Sequence, residues 1–388
     1  MPQGGAGRGS ASNLKVAVLA AGLLLGGATY VSRAQEPISM VAKQLNEIFS
    51  GVTRPDEPGL AVIVRSEGRT LFEQGYGVRD TATRARIDGR TNFRLASVTK
   101  QFTAMAVMML VREGKLRYDE TLAQLFPGFP EYGKTITIRN LLNHTSGLMD
   151  YEDLLDKEYP DTPPEKIPQI HDAGVLALLM RQTATKFPPG TRWAYSNSGY
   201  AVLAMTIEKA SGATFGQFLG ERIFEPLKMS NTVAYEKGKN EVANRAFGYT
   251  KNGETWQETD QSPTSAVLGD GGIYSSVEDL AKWDDALAHH TLMSVRDMQP
   301  AMQPAAGPAG EALLDPEGKP VFYGFGWFLD PYAGHERMYH DGDTVGFRST
   351  IQRFTKDRLT IVVLCNREDL NPQKLAEQAA DIVFAAKK

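Results

Sequence analysis

From Ser97 to Arg112 the chain reads as a helix with almost no polar face. Phe102, Met105, Val107, Met108, Met109, Leu110 and Val111 surround it, and Gly114 stops it. A helix apolar on nearly every side is stable only when it is covered on most sides, so the fold must wrap other elements around it. The same run opens with Ser97 and Lys100. Positions i and i+3 share a helix face, which makes hydroxyl and amine neighbours.

The flanking patterns say what does the wrapping. Ile38 to Phe49 has helical spacing. Leu60 to Val64 and Thr70 to Phe72 read as strands joined by a turn at Glu67-Gly68. Near the other end, Phe347 to Phe354 and Leu359 to Leu364 read as strands joined at Lys356-Asp357, and a last helix runs from Pro372 to Ala385. Between them, Thr137 to Asn143, Val175 to Arg181 and Gly199 to Ala210 are helical. Asp150 to Pro168, rich in proline and charge, is expected to be a surface excursion, and Pro300 to Pro320 a loop. The pattern predicts an α+β fold: one antiparallel sheet from both chain ends, flanked by helices, with a helical region inserted over about 97–300.

The first 34 residues predict a secretory signal peptide. Arg8 and Lys15 form a positive start, Val16 to Ala28 is uncharged and largely apolar, and Ser32-Arg33-Ala34 supplies small residues for cleavage after Ala34. The apolar run is short for a bilayer span of about 20 residues. The expected product is a periplasmic or secreted catalytic domain over 35–388, with no stable membrane span after cleavage; an uncleaved anchor is the alternative. The lone cysteine, Cys365, sits in an apolar strand and predicts a small buried hydrophobe rather than a disulfide. A net charge of −4 with no basic stripe gives no footprint for nucleic acid.

A serine hydroxyl attacks only when a base removes its proton. A free lysine, with a pKa of about 10.4, is a poor base at neutral pH. Burial disfavours its ammonium form, and the apolar surroundings of Lys100 supply burial. A second cluster, Tyr195-Ser196-Asn197, follows the turn-rich stretch Phe187 to Trp193. A tyrosine held partly as phenolate beside an ammonium is a competent proton shuttle, and an asparagine offers a carbonyl to the amine and an amide to a substrate. A third, His340-Asp341-Gly342, reads as a strand presenting one side chain to a cleft. Gly342 lets a substrate approach the backbone, and the N–H of Asp343 pairs with that of Ser97 as an oxyanion hole.

In this order the three clusters resemble the penicillin-recognising serine enzymes, with their S-x-x-K, Y-x-N and K-T-G-like motifs. Asn143 to Leu148, Phe187 to Tyr200 and Gly271 to Leu280 resemble further stretches of the class C β-lactamase-related branch. The resemblance covers residues 40 to 385 and implies a β-lactamase/transpeptidase-like fold. It implies that Ser97 is acylated, that Lys100 and Tyr195 activate it and pass its proton on, and that Asn197 orients Lys100 and the substrate. It implies no cofactor or metal.

The third motif departs from that family. His340 stands where lysine is usual, and Asp341 where a small hydroxyl residue is usual. A neutral imidazole gives up most of the attraction for a substrate carboxylate above about pH 6.5. Asn371 and Lys374 resemble a carboxylate-binding pair with lysine in the place of arginine; Asn371 also fits as the cap of the last helix. The expectation is an acyl-enzyme hydrolase of amides or esters, a D-amino-acid carboxypeptidase or aminopeptidase or a carboxylesterase, taking small-molecule, peptide, peptidoglycan-derived or ester substrates. The alternatives are a β-lactamase of class C mechanism and a penicillin-binding sensor or cell-wall scaffold that deacylates slowly. Oligomeric state is not legible.

Overall fold

The computed structural model describes residues 40–387. The expected signal peptide and the start of the first helix lie outside them. Helix α1 covers 40–50. Strands β1 (Leu60–Ser66), β2 (Arg69–Tyr76), β3 (Met338–Thr344), β4 (Phe347–Phe354) and β5 (Leu359–Cys365) form one antiparallel sheet in the order β2-β1-β5-β4-β3. The two chain ends meet at its centre, where Leu60 lies opposite Cys365 and Ser66 opposite Leu359.

Every residue of β1 and β5 is buried. Side chains alternate between two cores, because successive residues of a strand point to opposite faces. Leu60, Val62, Val64, Ile361, Val363 and Cys365 pack with α1 and the last helix. Ala61, Ile63, Val362 and Leu364 face the helical region. Cys365 is the small buried residue its context predicted, its thiol pushed up to about 12 by burial.

On the inner face lie α2 (Lys100–Arg112), α3 (Tyr151–Glu158), α4 (Asn197–Ser211) and α5 (Val277–Ala288); α6 (Pro372–Ala386) covers the outer face. In α2, every residue from Lys100 to Leu110 is buried, as an all-round apolar helix requires. A buried charge cluster ties α5 to the sheet. Asp284 accepts from Arg353 Nε at 2.7 Å and Thr360 Oγ1 at 2.8 Å, and pairs with Arg65 at 3.2 Å.

Two expectations need correction. The inserted region, expected to be largely helical, also carries short strands: Ile273–Ser275 pairs with Val233–Ala234 and with Phe93–Arg94 just ahead of the region, and Tyr249–Asn252 pairs with Thr255–Glu258. The 150–168 stretch is not all surface. Asp150 caps α3, and Tyr151 is buried with its hydroxyl on Asp270 Oδ2 at 3.0 Å.

Candidate active site

Ser97 sits in a 3-10 turn, Ala96–Thr99, that feeds directly into α2. Ala96 just before it has φ of +48°, a left-handed conformation costly for a residue with a Cβ. Strand β3 passes close by. A Cβ added to Gly342 would lie 2.2 Å from Leu95 O and 3.2 Å from Ala96 Cβ. Only glycine lets the strand approach the segment leading into Ser97 this closely. Ser349, opposite Gly342, donates to Leu95 O at 2.7 Å and clamps the approach.

Lys100 is fully buried one turn on, and its Nζ makes three hydrogen bonds of 2.9 Å, to Ser97 Oγ, Asn197 Oδ1 and Asp270 O. The second and third partners can only accept. A neutral amine therefore keeps its two N–H bonds on Asn197 and Asp270 and turns its lone pair to Ser97, the one partner with a proton to give. Burial pulls Lys100 down to about 8, against the carboxylates of Asp270, Glu152 and Asp150.

Asn197 begins α4, whose cap is Ser196 Oγ on Gly199 N–H at 3.1 Å. The Ser196 N–H donates to His144 Nδ1 at 3.1 Å. That bond places the His144 proton on Nε2. Tyr195 stacks beside His144, ring centroids 4.4 Å apart, and Lys100 Nζ lies 4.8 Å from the Tyr195 ring centre. Burial pushes the phenol well above its usual range, while the Ser97 hydroxyl beside it pulls the other way. Its Oη is buried without a hydrogen bond of good geometry. The partial phenolate expected from an adjacent ammonium is thus not the favoured state, because the cation lies over the ring and burial opposes the charge.

His340 is also buried. Its Nδ1 donates to Asp341 O at 2.7 Å, and its Nε2 accepts from the Tyr323 hydroxyl at 3.1 Å. Both nitrogens are used, and burial with the Lys100 charge nearby lowers its pKa to about 3. Expected at the cleft, it is a neutral wall residue instead, with no hydrogen bond to Ser97, Lys100 or Tyr195. Asp343 continues β3 beyond Gly342, its carboxylate on Arg348 at 2.7 Å. Asn371 caps α6, its Oδ1 accepting from Lys374 N at 2.9 Å. That carbonyl is thereby committed, and the Lys374 side chain is exposed.

The sequence reading passed over Asp270 and Asp172. Asp270 O holds Lys100. The turn that presents it is fixed by buried Asp172, which accepts from Leu268 N–H at 2.8 Å and Gly269 N–H at 3.0 Å, and by Thr103, which donates to Gly269 O at 2.7 Å. The signal for Asp270 was the Gly271-Gly272 stretch just after it; nothing in the sequence marked Asp172.

The family model described as Beta-lactamase matches residues 45–385. The chain belongs to the beta-lactamase family. It is a serine hydrolase. A penicillin-binding protein of Bacillus subtilis is 30% identical over 357 residues, 88% of this chain and 76% of that protein. The D-aminopeptidase of Brucella anthropi is 27% identical over 319 residues, 80% of this chain and 56% of that protein. The solved D-amino acid amidase from Ochrobactrum anthropi superposes with a TM-score of 0.72 at 22% identity, over 92% of this chain and all of that one. This family member shares the amidase's fold. Among the described residues no helix is long and apolar enough to cross a membrane.

Proposed function

We propose that this beta-lactamase-family protein cleaves amide or ester bonds of small-molecule or peptide substrates, D-amino-acid derivatives among them, and that it works as an exported peptidase or esterase. The observation that carries the chemistry is the set of three bonds at Lys100 Nζ, which leaves Ser97 as the only partner able to give that nitrogen a proton.

In the first half-reaction Ser97 Oγ bonds to the substrate carbonyl carbon while its proton passes to Lys100 Nζ. Lys100, with Tyr195 as a neutral relay, returns that proton to the departing nitrogen or oxygen, leaving an acyl-enzyme. Water then takes the place of the leaving group and gives its proton to the same amine, and as the Oγ–acyl bond breaks the amine returns that proton to Ser97 Oγ, releasing the acid and restoring the free enzyme. The backbone N–H groups of Ser97 and Asp343 are assigned to the oxyanion. The neutral state of His340 supports a peptidase or esterase over a dedicated β-lactamase, since no cation stands at that place to hold a substrate carboxylate. The names of the relatives, a D-aminopeptidase and an amidase, support the same substrate class. The 34-residue leader pattern supports export.

The test offers a chromogenic short-chain ester, a D-amino-acid amide and a chromogenic cephalosporin to wild type and to Ser97→Ala. Turnover of ester or amide by wild type alone is the expected result. Equal activity in the alanine variant, or turnover of the cephalosporin alone, rejects the proposal.

A further inference from the structure

A cavity of about 200 Å³ lies between β3 and the start of α6, lined by Asp341, Gly342, Arg348, Asn371 and Gln373 among others. At ~30 Å³ per water it has room for a group of a few heavy atoms. Its position is tied to the chemistry, because Gly342 forms part of its wall and also abuts Leu95 and Ala96, next to Ser97.

Among the described residues the charges around it are paired except for Lys374 outside it and Asp341 on its wall. Arg348 is on Asp343 at 2.7 Å. Arg337 is on Asp330 at 2.7 Å and Glu377 at 2.9 Å. Asn371 has its carbonyl on the Lys374 N–H, and the Lys374 side chain is exposed and makes no ion pair among the described residues. Among the described residues Asp341 has no ion-pair partner within contact distance, and its Oδ1 is buried with no hydrogen bond of good geometry, the Thr350 hydroxyl on the facing strand being the donor beside it. A carboxylate with one neutral donor beside it and no cation in contact is under-compensated, and a ligand that brings a cation recovers part of the cost.

We infer that this cavity is a substrate subsite that takes a primary ammonium group on the Asp341 carboxylate and turns away carboxylates. The inference rests on the hydrolase reading and names the substrate class of the same site. Burial raises Asp341 to about 6, which leaves it ionised at neutral pH. An ammonium entering the cavity supplies further donors and an opposite charge. A carboxylate entering it meets a like charge.

The test uses three chromogenic esters that differ in one terminal group: ammonium, methyl or carboxylate. One series carries the group on the leaving alcohol, the other on the acyl chain. In at least one series wild type should favour the ammonium ester over the other two by about tenfold or more in kcat/KM, the scale of a charged hydrogen bond. In Asp341→Asn, which keeps the side-chain shape, that preference should shrink to within about threefold. No preference in either series, or one that survives Asp341→Asn, overturns the inference. If wild type hydrolyses none of the esters, it is the hydrolase reading that fails. The subsite is then read by binding to Ser97→Ala, where the ammonium ester should bind more tightly than the carboxylate ester and lose that advantage when Asp341→Asn is added. Equal binding overturns it.

Discussion

Lys100 Nζ lies 2.9 Å from Ser97 Oγ, and its other two hydrogen bonds end on oxygens that cannot give a proton back. Ser97 is therefore the only proton source within the amine's own bonds. Because burial sets Lys100 at about 8, kcat/KM should rise with pH and level off above a midpoint near that value. Lys100→Met should lose about 10²–10⁴-fold in kcat and the rising limb with it. Initial rates across the pH range check both.

Asn197 is one of the two fixed acceptors. Asn197→Ala removes a hydrogen bond from the ammonium form, so the Lys100 midpoint should move down in pH. It also frees the amine to turn away from Ser97, so kcat should fall by about 10²-fold, as for other losses of catalytic alignment. A pH–rate profile of the variant separates the two effects.

The Tyr195 phenol is neutral at working pH, because burial pushes it well above its usual range. Tyr195→Phe should lower kcat without moving the pH midpoint set by Lys100. Ultraviolet difference spectra of wild type at neutral pH should show no tyrosinate; a tyrosinate band there would give Tyr195 the role of base.

Gly342→Ala places a methyl 2.2 Å from both Leu95 O and Ser349 Oγ. Strand β3 must retreat from the nucleophile, and a displacement near 1 Å costs about 10²-fold in rate. Circular dichroism should show the fold retained while kcat/KM falls by that order.

His340 has a folded pKa of about 3 against an ordinary value near 6.5. Between those limits the unfolded chain binds a proton at this residue that the folded one does not. Its contribution to stability is therefore intact above pH 6.5 and declines as pH falls toward 3. His340→Gln should lose less stability on acidification than wild type, as urea unfolding at a series of pH values would show.

The legible part of the site was the part carried by local spacing. Ser97 and Lys100 declare themselves within one turn of one helix, and Tyr195 and Asn197 within one short segment. Asp172 looks like an ordinary acid near a helix start; only the chain's course brings it onto the amides of Leu268 and Gly269. His340 read as a cleft residue because a strand pattern gives two faces and does not say which one a neighbouring loop covers. Tyr323 covers it from a stretch that the sequence marked only as following a loop. For the fold, the apolar runs of β1 and β5 were clear, whereas Phe93–Arg94 and Ile273–Ser275 are too short for any period to show.

The pairing of β1 with β5 sets a timetable for the whole molecule. Leu60 leaves the ribosome early, and its partner Cys365 follows about three hundred residues later, roughly 15 to 60 s at about 5–20 residues per second. Until then β1 has only the β2 hairpin to pair with, and the sheet that holds β3 beside Ser97 is incomplete. The central pairing thus joins segments far apart in sequence, the kind of contact that closes slowly, and the strand lying against Ser97 depends on that closure for its place in the sheet.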